Sequence, residues 1–324
     1  MKKQEKKDNF LAVCYDEFCI RLGKLERYDE KRLWTCLAAL ACVFWGISGL
    51  FAKGLFNISA SITPIWISQV RMVLSGILLL IFAQVTGKKP LKTMTDKKDA
   101  ITVIAYGLLG LLPVQYCYFI VVQQANASVA TVLQFIGPFF VLFYMVVFEH
   151  QVLRAVDVIA AIVAFLGVFF LATHGHFNQL SLTPSVLFWG LISAVGVATN
   201  TLIPRRLLDH TSSLVVTGWG LLFSGIALAL AHPVWPKIPN NINIFWLMAG
   251  VIVIGTLIPF QWMMGSLRYI KPSTASLLDA FEPVSATIGS VIIFGLVMAP
   301  IDWIGSIMII CAVLALNWEP KHKR

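Results

Sequence analysis

The sequence predicts an all-α polytopic membrane protein, with about ten transmembrane helices in two inverted five-helix repeats. Three observations predict it: the balance of apolar and charged residues, the placement of the basic residues, and an internal repeat. A soluble domain is about half apolar and a quarter charged. This chain is 58% apolar and 13% charged over 324 residues, with a mean hydropathy of +0.80. Folded in water, a chain of this length would need two cores and would have to hide nearly every residue. A bilayer removes the difficulty, because lipid accepts apolar surface on the outside of helices that bond their own backbone.

The spans are read in order at 34–56, 64–85, 101–122, 126–148, 155–173, 183–203, 212–231, 245–267, 273–297 and 301–318. Each has the ~18–25 residues needed to cross ~30 Å at ~1.5 Å per residue. Only Gln123, Gln124, Ala125 and Asn126 separate the third run from the fourth, and merging them would leave nine spans. Charge decides the count. From an inside N-terminus, the inner segments hold Lys88, Lys89, Lys92, Lys97 and Lys98, then Arg154, then Arg205 and Arg206, then Arg268 and Lys271, and finally Lys321, Lys323 and Arg324. The outer joints hold Lys237 and no other Lys or Arg. Only an even number of spans keeps this positive-inside asymmetry throughout. A multi-pass protein of the cell membrane with both termini cytoplasmic is the expectation. The net charge of +9 serves that orientation and not a nucleic-acid groove.

Residues 1–33 form an N-terminal tail, expected in the cytoplasm. Leu11, Cys14, Phe18, Leu22 and Leu25 recur at three and four residues within it. An amphipathic helix on the inner surface and a solvated, loosely helical tail both fit that pattern. No secretory signal opens the chain. Cys36, Cys42, Cys117 and Cys311 lie in apolar runs and read as small hydrophobes, while Cys14 and Cys19 match no zinc spacing. His174-Gly175-His176 falls short of a metal site, and no hydrolase elbow or phosphate loop appears. No cofactor is expected.

The repeat relates residues 34–173 to 183–318. Leu112-Pro113-Val114-Gln115-Tyr116 matches Ile258-Pro259-Phe260-Gln261-Trp262. Ala127-Ser128-Val129-Ala130 faces Ser273-Thr274-Ala275-Ser276, Phe135-Ile136-Gly137-Pro138 faces Phe281-Glu282-Pro283 with one residue slipped, and Val156-Asp157 faces Ile301-Asp302. Five spans is an odd number, so the second half enters the membrane upside down. Inverted halves around a central site are an architecture of carriers that alternate access.

Phe44-Trp45-Gly46, Lys53, Arg71, Pro138, Glu149, the run from Tyr269 to Ser276 and Phe281-Glu282-Pro283 together resemble the drug/metabolite transporter superfamily, in its EamA-type ten-span branch. The resemblance covers about residues 34–318. It implies a monomeric or loosely dimeric carrier of small organic molecules, often working outward, with a cavity lined by both halves. The tail lies outside the family pattern. Gly295 stands where an acidic residue often follows the ninth span.

Charges within a bilayer cost about 2.5–3.5 kcal/mol each on insertion scales, so each one asks for a reason. Asp279 and Glu282, three apart on one face of the ninth span, are the expected proton-coupling pair. Burial and a like-charge neighbour disfavour the charged carboxylate, and Pro283 opens the helix beside it. A packing role for a protonated Glu282 is the competing reading. Gln115 and Gln261, in equivalent places and both expected near mid-membrane, are candidates for the substrate cavity with Gln134, Trp45, Tyr118 and Trp262; each could instead brace helices or pack. Arg71 reads as structural, paired with carbonyls or an acid, and Trp66, Trp246 and Trp318 as interfacial anchors. The function expected is secondary transport of small organic metabolites, as a proton-coupled exporter or a proton- or sodium-coupled uptake carrier. A membrane-embedded lipid enzyme would need a His and an acid clustered within the membrane, whereas all six histidines fall in joints or at span ends.

Overall fold

The computed structural model describes residues 2–124, 127–152, 154–173, 176, 183–233, 237–295 and 299–317, with backbone alone over 2–28. His174, Gly175, Trp318 and the C-terminal Lys321, Lys323 and Arg324 lie outside the described residues, as do the side chains of Leu11, Cys14, Phe18, Leu22 and Leu25.

All regular structure among the described residues is helical. We number the main helices α1 (Lys2–Ile58), α2 (Pro64–Val85), α3 (Lys97–Cys117, continuing as Tyr118–Gln124), α4 (in two pieces, Ala127–Gln134 and Gly137–Val147) and α5 (Ala155–Thr173). There follow α6 (Pro184–Leu202), α7 (Ser213–Ala231), α8 (Ile242–Ser266), α9 (Pro272–Leu278 and Phe281–Phe294) and α10 (Pro300–Asn317). Among the described residues, seven stretches are long and apolar enough to cross a bilayer, in α1, α2, α3, α6, α7, α8 and α9. Shorter apolar helices run over Val132–Val147, Ala155–Phe170 and Pro300–Ala312. The chain is a multi-pass membrane protein.

No proline interrupts α1, so tail and first span form one helix of 57 residues, and the boundary at residue 33 falls inside it. α2 starts where Thr63 Oγ1 accepts the Trp66 amide at 3.2 Å and Pro64 fills the first turn, whose N–H groups would have no helical partner. Leu74, Ile77, Leu78, Ile81, Phe82 and Val85 then recur at three and four residues as an exposed apolar stripe. Such a stripe is costly in water and natural against lipid. The opposite face packs on α7. There a Cβ on Gly76 would come within 2.7 Å of the Leu222 amide and 2.9 Å of the Gly218 carbonyl, so the two backbones touch.

The packing is cross-paired between halves. α2 lies on α7 and α5 on α10, while α1 packs on α8 and α9 as α6 packs on α3 and α4. One end of the bundle is tied by Arg205–Glu149 at 2.8 Å, His210–Asp99 at 3.2 Å, and Arg268 Nη2 donating to the Thr211 carbonyl at 2.6 Å. Trp34 of α1 stacks on Tyr269 there, so this is the end at which the tail enters. At the far end Tyr116 shares a hydrogen bond with His232 Nε2 at 2.7 Å, and Gln69 Nε2 donates to the His232 carbonyl at 2.9 Å.

Among the described residues, α3, α4, α8 and α9 are irregular. α3 carries π turns at Tyr106–Leu111 and Pro113–Cys117, and α8 carries one at Val253–Leu257 just before Pro259. Pro113 has no N–H for the Leu109 carbonyl. The Thr199 hydroxyl of α6 takes that acceptor at 2.5 Å. Ser224 donates likewise to the Gly107 carbonyl at 2.8 Å, and Gln134 to Val114 at 2.9 Å. α4 and α9 break outright, between Gln134 and Gly137 and between Leu278 and Phe281.

Candidate functional site

Pro283 removes the amide that would bond the Asp279 carbonyl, so α9 cannot run on as a regular helix. The chain tightens instead: Ala280 donates to Leu277 at 3.2 Å and Glu282 to Asp279 at 3.0 Å, both three residues back. A new half-helix starts at Phe281 with Glu282 in its first turn. The positive end of its dipole therefore faces this carboxyl. α4 shows the same device at Pro138, where Ile136 donates to Leu133 at 3.2 Å and Phe139 to Ile136 at 3.0 Å.

α1 closes over the break. Ser285 Oγ reaches the Val43 carbonyl at 3.1 Å and the Glu282 carbonyl at 2.9 Å. A Cβ on Gly46 would collide with Ser285 Oγ and with the Glu282 carbonyl, which explains the glycine in Phe44-Trp45-Gly46. Cys42 Sγ lies 3.4 Å from Asp279 Oδ1 and 3.2 Å from the Ala38 carbonyl. Composition makes this cysteine a small hydrophobe; the fold makes it a neighbour of the acid pair. Only a 237-residue separation in sequence hid it.

Arg71 of α2 supplies the opposite charge. Its Nη2 donates to Gln115 Oε1 in the second π turn of α3, and it lies near enough to Glu282 for the two charges to interact. Arg71 Nε and Gln115 Nε2 are buried without a partner among the described residues. The expected pairing of Arg71 with an acid or a carbonyl becomes an amide contact with an acid nearby. Two contacting groups result, Cys42 with Asp279 and Arg71 with Gln115, linked by the electrostatic interaction between Arg71 and Glu282. They can hold one anionic and one cationic group, or exchange protons with water that reaches them.

The remaining candidates lie elsewhere. Gln261 Oε1 accepts from Ser213, the first residue of α7, at 3.0 Å, whereas Tyr116, next to Gln115, contacts His232, just past the last residue of α7. The two glutamines therefore sit toward opposite ends of α7 and not together at mid-membrane. Gln261 and Trp262 line one cavity of about 480 Å³ with Leu78, Leu79, Phe82, Leu214, Leu257 and Ile258. Phe44 meets Trp262 at 5.4 Å between ring centres, and Trp45 meets Phe260 edge-on at 5.1 Å. Gln134 braces α4 to α3 and α6 through Val114 and Ser193, at 2.9 and 2.8 Å. Tyr118 packs with Val121, Ala130, Leu133 and Val186. Trp246 is 66% exposed, as an anchor would be; Trp66 is partly buried against the cluster around Ile62 and Ile67. Among the described residues no three His, Cys, Asp or Glu side chains come together as metal ligands would.

Comparison with known proteins agrees with this architecture. Over 88% of this chain and 95% of its own length, an inner membrane transporter of Salmonella typhimurium, YicL, is 27% identical. The threonine/homoserine exporter RhtA of Escherichia coli K12 is 25% identical over 89% of this chain and 92% of its own. A solved crystal structure superposes with a TM-score of 0.73 at 16% identity, covering 88% of this chain and 96% of that one, and so shares the fold. The model of the EamA-like transporter family matches twice, at residues 32–173 and 184–318. With both matches together spanning most of its length, the chain belongs to the EamA-like transporter family.

Proposed function

We propose that this transporter is a proton-coupled exporter of small organic metabolites, built as ten spans in two inverted repeats and working as a monomer or homodimer. The observation that carries the coupling is the placement of Glu282: first turn of a half-helix, beside Asp279, within electrostatic reach of Arg71 across the two halves. A deprotonated Glu282 can hold the cationic group of a substrate while Arg71 and Gln115 hold an anionic or carbonyl group. A proton arriving from the other side neutralises the carboxyl and releases that cation. The RhtA exporters act, by name, on threonine and homoserine, which makes amino acids the first substrates to try.

Several features support the repeat. The family model matches once in each half. Exchanging each helix of the first half for its counterpart maps the pairs α2–α7 and α5–α10 onto themselves, and α1–α9 onto α6–α4. The π turns recur at Pro113 and Pro259, and the breaks recur in α4 and α9. The end that carries Lys88, Lys89, Arg205, Arg206 and Arg268 is then the cytoplasmic one, with both termini on that side of the cell membrane.

The test is a reconstitution. Purified protein in proteoliposomes with an imposed pH gradient is given a mixed pool of amino acids, amines, nucleosides and sugars, and the lumen is read by mass spectrometry. The proposal expects gradient-dependent movement of at least one amino acid against its own gradient. Movement that follows a sodium gradient and ignores pH would replace it with the uptake reading.

A further inference from the structure

The cavity that holds Gln261 shares none of its described lining residues with the charged centre and points to a different occupant. None of its eight described lining residues is charged, and all but Gln261 are apolar. Its volume of about 480 Å³ falls within the range of small-molecule sites. Two of its walls, Leu78 and Phe82, are 46% and 55% exposed and belong to the lipid-facing stripe of α2. The cavity is therefore a side branch of the lipid-facing surface, set between α2, the start of α7 and the π turn of α8. The π turn supplies Leu257 to its wall, and Ile258 follows directly.

One polar feature lies inside. Ser213 donates to Gln261 Oε1 at 3.0 Å, which fixes the amide plane. Gln261 Nε2 is buried and has no partner among the described residues. A buried N–H left unpaired costs about 1–3 kcal/mol, so an acceptor at this point would stabilise the site. Its depth is that of the first residue of α7, near where the apolar part of that helix begins. A diacyl lipid carries its ester carbonyl at that level, with the hydrocarbon chain running inward.

We infer that this cleft between α2, α7 and α8 is a binding site for one acyl chain of a glycerophospholipid from the tail-side leaflet, whose ester carbonyl accepts a hydrogen bond from Gln261 Nε2. With no charge among its described wall residues, the site reads the chain and ester and is indifferent to the headgroup. It does not rest on the transport cycle above. Occupied, it would fill the gap between α2 and the pair α7 and α8, elements from opposite halves.

The experiment uses the full chain in vesicles of phosphatidylcholine doped with phosphatidylcholine that carries a diazirine in one acyl chain. After irradiation, adducts are mapped by peptide mass spectrometry. The site predicts adducts concentrated on peptides containing Leu78, Leu214 and Leu257–Ile258, well above those on the lipid-facing Ile159 and Ile162 of α5. Leu78→Trp and Leu214→Phe, which fill the cleft from two sides, should each remove that excess and leave α5 labelling unchanged. An ether-linked probe, lacking the carbonyl, should label the cleft about threefold to tenfold less than the ester probe in wild type, the weight of one hydrogen bond. Gln261→Leu should abolish that difference. Cleft labelling no higher than on α5, or equal labelling by ester and ether probes, would overturn the inference. So would loss of the label on adding a water-soluble metabolite, which would make the cleft a substrate portal.

Discussion

At the scale of single residues, the account turns on close contacts around Glu282. Gly46→Ala should destabilise the protein by about 1–3 kcal/mol, the usual effect of overpacking, because the new methyl meets both Ser285 Oγ and the Glu282 carbonyl. Adding Ser285→Ala should recover part of that loss and no more, since the carbonyl remains. Thermal unfolding in detergent reads both, and full recovery would show that Gly46 answers to the serine alone. Gln115→Leu leaves the Arg71 guanidinium without its amide acceptor, so substrate affinity and stability should fall together. The acid pair, Arg71 and Gln115 all stand out in the sequence as polar groups inside apolar runs. Their contacts do not, because Cys42 and Asp279 meet across more than two hundred residues and nothing local marks the cysteine. Gln134 was equally conspicuous, yet its donors are spent on Val114 and Ser193, so conspicuous polarity did not separate a bracing glutamine from one with a free donor.

At the scale of helices, proline creates a local vacancy and a neighbouring side chain fills it. Thr199→Val keeps the shape of the threonine but strips the Leu109 carbonyl of its hydroxyl partner, with an expected cost of about 1–3 kcal/mol. Pro113→Ala restores a backbone donor for the same carbonyl. The double variant should therefore lose less than Thr199→Val alone, a coupling that a double-mutant cycle on thermal stability would measure. Asp96 caps the start of α3 by accepting the Lys98 and Asp99 amides at 2.8 and 3.1 Å, which holds its carboxyl below the usual carboxylate range. A lowered folded-state value contributes stability that is complete above the unfolded value of about 4 and is lost as pH falls through the folded one. Asp96→Ala should thus lower the melting temperature at neutral pH, and the deficit should shrink in strong acid. The seven described helices long enough to cross a bilayer were legible from apolar length, and Pro283 marked one place where a helix would be disturbed. Whether a proline yields a π turn or a complete break was not legible, because neighbouring helices decide which carbonyls find new donors.

At the scale of the whole molecule, the proposed orientation rests on the asymmetry of the basic residues and on the proposed inverted repeat. In a background without the six native cysteines, Asn57→Cys and Asn241→Cys should react with an impermeant thiol reagent added outside intact cells, and Thr95→Cys and His210→Cys should not. Reaction at Thr95→Cys would reverse the topology. The central claim is that Glu282 carries the coupling proton, and Glu282→Gln tests it most directly, because the amide keeps size and hydrogen bonding while fixing the neutral state. Transport driven by a pH gradient and counterflow, the exchange of substrate without net proton movement, are measured in the same proteoliposomes. The account predicts that Glu282→Gln loses gradient-driven transport and keeps counterflow, with Asp279→Asn impaired less. Gradient-driven transport at the wild-type rate by Glu282→Gln, with Glu282→Ala defective through lost packing, would contradict it.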